Sequence, residues 1–265
     1  MVEQLTPDQE KTLISFKCGD NILITGPGGS GKSYLIKTIV EECKKTERSV
    51  QVCAMTGCAA VLLQCGAKTL HSWGGFGLAN GDIKNVIKRV TGNRYKKKPW
   101  KEVDVLIIDE ISMLSKKLLT CIDYIARISR NKRDVPFGGI QVILSGDFYQ
   151  LPPVGDEEDE DSSAFCFESE AWKGIDAICQ LSTIKRQDDQ MFVKILNQVR
   201  IGKISKNTIN ILKTRVGASI DGDIKPTVMF PRRFHADQVN AMEYKSLPST
   251  KEYIYKCEVK DDVED

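Results

Sequence analysis

The chain is 265 residues long, 41% hydrophobic and 28% charged, with a net charge of only +2. That is enough material for one large core or two smaller ones in a soluble globular protein. No apolar run reaches transmembrane length, and residues 1–20 are polar and acid-bearing, unlike a secretory or mitochondrial signal. Nine cysteines without a Cys-x-x-Cys pair, and only two histidines, argue against zinc and for reduced thiols in an intracellular compartment.

In chain order, Thr6-Pro7-Asp8-Gln9 opens a helix: Thr6 caps it, Pro7 suits its first position and Gln9 completes a capping box. Gln9 is thereby read two ways, as a cap and as a functional residue. Asn21–Thr25 is a short apolar run of strand character, and Gly26-Pro27-Gly28-Gly29-Ser30-Gly31-Lys32-Ser33 follows it. This matches the phosphate-binding pattern G-x-x-x-x-G-K-[ST] at every specified position. Glycines let successive backbone N–H groups form an anion cradle, Lys32 reaches outer phosphates, and the Ser33 hydroxyl suits Mg²⁺. Leu35, Ile36, Ile39, Val40 and Cys43 then recur at helical spacing. Strand, loop and helix stand in the order that a nucleotide-binding loop requires.

Ser49–Met55 predicts a second strand, ending at Thr56-Gly57, with a helix from Ala59 towards Gly66. His71, within Thr69-Leu70-His71-Ser72-Trp73, reads equally as a satisfied core histidine or as a nucleic-acid contact. Residues 74–101 show weak periodicity and carry Lys84, Lys88, Arg89, Arg94, Lys96, Lys97, Lys98 and Lys101. With Trp73, Phe76, Tyr95 and Trp100 interleaved, they suit single-stranded nucleic acid, with cations on the backbone and rings stacked on bases. Val103–Ile108 predicts a strand buried on both faces, and Asp109-Glu110 closes it. In a protein with a phosphate loop, such a pair fits Asp109 to Mg²⁺ through water and Glu110 to activation of the attacking water.

Leu118, Ile122, Ile125 and Ser129 mark an amphipathic helix, Pro136–Gly139 breaks it, and Ile140–Leu144 gives another central strand. The loop Ser145–Val154 leaves that strand's C-terminal end, where open α/β sheets place ligand residues. Within it, neutral Gln150 is suited to sensing a terminal phosphate. Asp156–Asp161 is an unbroken acidic run, read as a solvated, flexible loop. Ala177–Leu181 predicts a strand before Lys185-Arg186, Phe192–Val199 a helix, and Pro226–Phe230 a further strand.

Taken together, these residues resemble the petite-integration-frequency (PIF) type of superfamily-one DNA helicases across residues 5–202. Leu5–Gln9 resembles that family's adenine-reading glutamine motif, and residues 26–33 its phosphate loop. Thr56–Ala60 and Thr69–Ser72 resemble its elements that contact single-stranded DNA. Asp109–Met113 resembles its second nucleotide motif, Tyr124–Gln141 its distinguishing stretch, and Gly146–Val154 its coupling motif. Arg186 stands where the family carries an arginine that faces the γ-phosphate.

The resemblance implies a RecA-like α/β ATPase core over residues 1–183, with a mostly parallel sheet flanked by helices and a DNA-contacting insertion near 74–101. It also implies the incomplete start of a second RecA-like core over 184–265. Its activity would be ATP- and Mg²⁺-dependent translocation 5′-to-3′ on single-stranded DNA or DNA junctions in genome maintenance, with the oligomeric state open and a monomer favoured over an oligomer. Gln9, Gly26, Gly28, Gly29, Ser30, Gly31, Lys32, Ser33 and Asp109 would hold the nucleotide and metal. Lys32, Glu110, Gln150 and Arg186 would serve catalysis, and Thr56, Gly57, Thr69, His71 and Ser72 would contact DNA. Two late motifs of the family, one of Gly-x-Thr-Val-His character and one Ser-Arg pair, are absent from these residues. A nucleotide-dependent DNA-binding or regulatory module without unwinding activity is therefore the alternative. A small-molecule kinase leaves Gly146–Val154 unexplained.

Overall fold

Short runs of four to six residues become five strands of one sheet, joined at its edge by the two-residue strand Lys68–Thr69, and the amphipathic stretches between them become its covering helices. The computed structural model describes residues 4–77, 79, 81–156, 158–185, 187, 189–218, 227–247, 253 and 255. In chain order the elements are α1 (Pro7–Cys18), β1 (Ile22–Thr25), α2 (Lys32–Lys45), β2 (Val50–Ala54), α3 (Gly57–Leu63), β3 (Lys68–Thr69), α4 (Leu70–Gly74), α5 (Ile83–Thr91) and α6 (Arg94–Glu102). They continue with β4 (Val105–Asp109), α7 (Lys116–Arg130), β5 (Gln141–Gly146), α8 (Glu160–Ser163), β6 (Ala177–Gln180), α9 (Gln190–Arg200), α10 (Lys206–Lys213) and α11 (Arg233–Lys245).

The six strands run in the order β3-β2-β4-β5-β1-β6, and every pairing is parallel. Parallel strands need crossovers that cover both faces, and two buried clusters lie accordingly on opposite sides of the sheet. Alternate residues of β4 divide between them: Leu106 and Ile108 pack with Phe76, Trp100 and Ile122, whereas Val105 and Ile107 pack with Leu35, Ile39 and Ile143. The register aligns Thr69 with Ala54, Ala54 with Asp109, and Asp109 with Ser145. Thr25 is aligned with Gly146. The C-terminal strand ends therefore share one edge, and residues 26–33, Thr56-Gly57, Asp109-Glu110 and the loop Gly146–Val154 leave from it.

The stretch Tyr124–Gln141 serves as a clasp. Asp123 accepts the Phe137 N–H at 2.7 Å and both carboxylate oxygens bind Arg127 Nε. Gln141 Nε2 donates to the carbonyls of Phe16 and Asp20, tying β5 to the end of α1.

Several expectations are corrected. Residues 74–101 form two regular helices, α5 and α6, and Trp73, Phe76 and Trp100 are buried, with Trp73 and Trp100 centroids 4.6 Å apart. Only Tyr95 of the four interleaved aromatics is exposed, at 86%. The physical reason is the spacing of Ile83, Val86, Ile87 and Val90, which directs one face of α5 inward and leaves the lysines outside. The acidic run is not a free loop either. Lys116 pairs with Asp161 at 2.7 Å and Lys117 pairs with Asp159, and the run leads into α8. Residues 227–230, expected in a strand, carry none.

The chain divides into two compact units, Met1–Ile209 and Asn210–Asp265, and α9 belongs to the first. In the second unit, α11 has no buried residue.

Candidate nucleotide and nucleic-acid site

Residues 26–33 sit between β1 and α2 as the pattern requires. Gly31 adopts a left-handed conformation, φ 86°, and a β-carbon there would come within 2.5 Å of Gln9 Nε2. Glycine is needed on both counts. Gln9 is fully buried: its Oε1 accepts the Thr6 N–H at 2.9 Å, and its Nε2 donates to the Gly31 carbonyl at 3.3 Å. The capping role of Gln9 is thus real, and the same side chain also reaches the phosphate loop.

Lys32 Nζ donates to the carbonyls of Gly26 and Pro27 at 2.7 and 3.1 Å. Burial lowers its pKa, while Asp147, Asp109 and Glu110 oppose that shift. Ser30 Oγ is buried with no hydrogen-bond partner. A buried hydroxyl without a partner costs free energy, and here it sits in the loop that leads to a cationic lysine. Gly26 and Ser30 are buried, Gly29 is half-buried, and Gly28 and Ser33 are exposed. These features fit a phosphate. The oxygen donors of Ser33 and Asp109 are of the type that Mg²⁺ prefers.

Asp109 ends β4, is 6% exposed, and accepts the Ser145 hydroxyl at 2.7 Å. Burial raises its pKa, and the Ser145 bond counters this. Glu110 follows in a left-handed conformation, φ 58° and ψ 45°, which costs a non-glycine residue about 1 kcal/mol. Burial first, and then the Asp109 charge, raise the Glu110 pKa. The turn is possible because Gly146 has no side chain: a β-carbon there would lie 2.8 Å from Ile111 Cγ1 and 2.9 Å from its nitrogen.

Beyond β5, Asp147 is 1% exposed and bound by Arg200 through Nε and a terminal nitrogen at 2.6 and 2.7 Å. Burial pushes the Asp147 pKa upward, but the Arg200 hydrogen bond and charge, with the Tyr149 N–H and the Gln150 side chain, together make the net shift downward. The guanidinium lies 4.5 Å from the Tyr149 ring centroid. Gln150 is exposed, and its N–H donates to the Asp147 carbonyl at 2.9 Å. Neither Asp147 nor Arg200 was predicted from sequence. They are far apart in the chain, and only a chance-like acid in a flagged loop pointed to the first.

Replacing Arg200 with Ala strands a buried carboxylate and is expected to lower stability by about 1.5–3 kcal/mol in a urea titration. Lys, lacking the two-pronged donor geometry, should recover only part of it.

At the other end of the same sheet edge, Thr56 and Gly57 are exposed beyond β2, and Thr56 caps α3 by accepting the Ala59 N–H. Thr69 caps α4 through the Ser72 N–H, with Ser72 exposed. His71 is half-buried, edge-on to Phe76 at 6.4 Å between centroids, and burial lowers its pKa, favouring the neutral imidazole. From Thr69 on β3 to Ile24 on β1 is four inter-strand steps, roughly 19 Å at about 4.8 Å each, with β4 and its Asp109 at the centre. Arg186 lies outside the described residues.

Residues 4–210 match the family model described as PIF1-like helicase. The chain is similar to the ATP-dependent DNA helicase RRM3 of Saccharomyces cerevisiae, 38% identical over 252 residues that cover 92% of this chain and 34% of the relative. Among solved structures it resembles the Pif1 helicase from Candida albicans, with a TM-score of 0.83, 37% identity, and coverage of 94% of this chain and 56% of that one. It also resembles Pif1 helicase from Bacteroides in complex with ADP-AlF3 and ssDNA, with a TM-score of 0.73, 28% identity, and coverage of 92% and 58%. The chain spans about a third of the RRM3 relative and little more than half of these structures. With its phosphate loop, its Asp109-Glu110 pair and its all-parallel sheet, the chain belongs to the PIF1-like helicase family.

Proposed function

We propose that this chain carries the ATP-hydrolysing wall of a DNA translocase or helicase that moves 5′-to-3′ on single-stranded DNA. The observation that supports this most is the shared strand edge. Lys32, Asp109-Glu110 and Asp147–Gln150 follow β1, β4 and β5, and Thr56, Thr69 and His71 follow or adjoin β2 and β3 on the same edge. Phosphoryl transfer needs positioning and charge stabilisation more than covalent chemistry. In this reading, residues 26–33 hold the phosphates, and Ser33 and Asp109 would hold Mg²⁺. When bound, that ion neutralises phosphate charge. Glu110 accepts a proton from the attacking water, Gln150 senses the terminal phosphate, and Gln9 reads the base. Arg186 would supply the positive charge opposite the γ-phosphate, as the family resemblance implies. Thr56, Gly57, Thr69, His71 and Ser72 contact the strand, and the exposed lysines of α5 and α6 bind its phosphates without stacking from Trp73 or Trp100. Single-stranded DNA or junctions are the partner, met inside the cell by a monomer in genome maintenance.

A second reading, a nucleotide-dependent DNA-binding module without unwinding, draws on the unburied α11 of the second unit. Strand displacement separates the two. The motor reading expects this chain to open a duplex carrying a 5′ single-stranded tail and not one carrying a 3′ tail. Nucleotide-modulated DNA binding with no displacement from either substrate would favour the module.

A further inference from the structure

Three segments of the first unit meet at one ammonium group. Lys117, the second residue of α7, is 6% exposed, and its Nζ donates to the Gly81 carbonyl and to Asp159. Each partner belongs to a different working part. Gly81 follows α4, the helix that carries His71, and lies just before α5. Asp159 follows Gly146–Val154, the loop that begins with Asp147 and Gln150. Lys117 itself follows Asp109-Glu110 by a single short turn, Ile111–Met113, and the α7 cap Ser115.

The neighbouring contacts tighten the same junction. Lys116 pairs with Asp161 at 2.7 Å, and its N–H donates to the Ala164 carbonyl at 2.9 Å. A cleft of about 1010 Å³ lies alongside, lined among others by His71, Met55, Lys117, Val154, Gly155 and Asp159. His71 and the end of the loop Gly146–Val154 thus border one space, and Lys117, Gly81 and Asp159 line it too.

Stability is a poor explanation for such an arrangement. Taking an ammonium out of water is costly, and its partner Asp159 stays 33% exposed, where solvent screening leaves an ion pair little net stabilisation. A junction of one ion pair and one carbonyl contact, joining three segments, is better suited to fixing relative position. A shift of the loop after β5 pulls on Asp159, and Lys117 passes that shift to Gly81 and the segment that holds His71. Rigid links of this kind carry coupling only where both ends bias a shared arrangement.

We propose that Lys117 is a positioning residue that links the nucleotide-side loop to the His71 segment, so that nucleotide occupancy alters the DNA-contacting edge through it. The proposal rests on the translocase reading for its biological meaning, but its physical content can be tested separately. Amide hydrogen exchange of the full chain is measured with and without ADP-aluminium fluoride, for wild type, Lys117→Met and Lys117→Arg. The wild type is expected to change exchange at both ends, in the peptide covering Gly146–Val154 and in the one covering Gly81. Lys117→Met should keep the first change and lose the second, and Lys117→Arg should restore it, the melting temperature of each variant showing that it is folded.

The matching activity readout is the ratio of ATPase rates with and without single-stranded DNA, expected to fall at least fivefold in Lys117→Met at unchanged basal rate. Should Lys117→Met fold poorly, Asp159→Asn removes the ionic partner and is read the same way. A wild-type-like response at Gly81 in a folded variant would overturn the link. So would a wild type that responds only at Gly146–Val154. A wild type that shows both exchange changes but no stimulation by DNA would instead count against the translocase reading and leave the link standing.

Discussion

Glu110→Gln is expected to reduce ATP turnover by about 10²–10⁴-fold, the usual contribution of a positioned general base, while nucleotide affinity stays near wild type. The left-handed turn at Glu110 aims this side chain separately from Asp109, which is held by Ser145. Two adjacent carboxylates thereby acquire different surroundings: Asp109 is nearly buried and Glu110 is half-exposed. Glutamine keeps the shape and removes the proton acceptor.

The pH profile provides an independent check. Burial and the neighbouring Asp109 raise the Glu110 pKa, and only the ionised form accepts a proton. The rate should therefore fall as pH is lowered through that raised pKa, at a higher pH than an ordinary glutamate would give, and this acid limb should vanish from the residual activity of Glu110→Gln. Turnover within a few-fold of wild type would remove Glu110 from the mechanism.

Trp100→Ala is expected to destabilise the first unit by about 3–5 kcal/mol, the range for deleting a large buried aromatic. Trp100 is fully buried, packs against Trp73 and Phe76 with centroids at 4.6 and 5.8 Å, and donates its indole N–H to the Gly74 carbonyl at 3.2 Å. Removing it opens a cavity and strips the Gly74 carbonyl of that partner. Urea denaturation followed by circular dichroism measures the loss. A stacking residue would behave in the opposite way: stability would hold and affinity for single-stranded DNA would fall. Tyr95→Ala, at an exposed position, should leave stability within about 0.5 kcal/mol of wild type.

What the sequence made legible follows from how far each signal reaches along the chain. Strands buried on both faces, such as β4 and β5, appear as continuous apolar runs. The phosphate loop and Asp109-Glu110 are local patterns whose meaning depends only on what immediately flanks them. The α1 cap was visible for the same reason, because Thr6 and Gln9 are three residues apart. Long-range pairing has no such signature. Asp147 looks like any loop acid until Arg200 is placed beside it, and Asp159 looks solvated until α7 brings Lys117 to it. The aromatics of 73–100 were misread because dense lysines hid the i, i+3, i+4, i+7 spacing of Ile83, Val86, Ile87 and Val90 on a helix of only nine residues.

The central claim is that one sheet edge holds both a phosphate site and a DNA contact surface that communicate. The most direct test is steady-state hydrolysis of Mg²⁺-ATP by this chain, titrated with single-stranded oligonucleotide and, in parallel, with blunt duplex. The account predicts hydrolysis that rises with single-stranded DNA, responds little to duplex, and disappears in Lys32→Ala. A rate indifferent to single-stranded DNA, or one that survives Lys32→Ala, would contradict it.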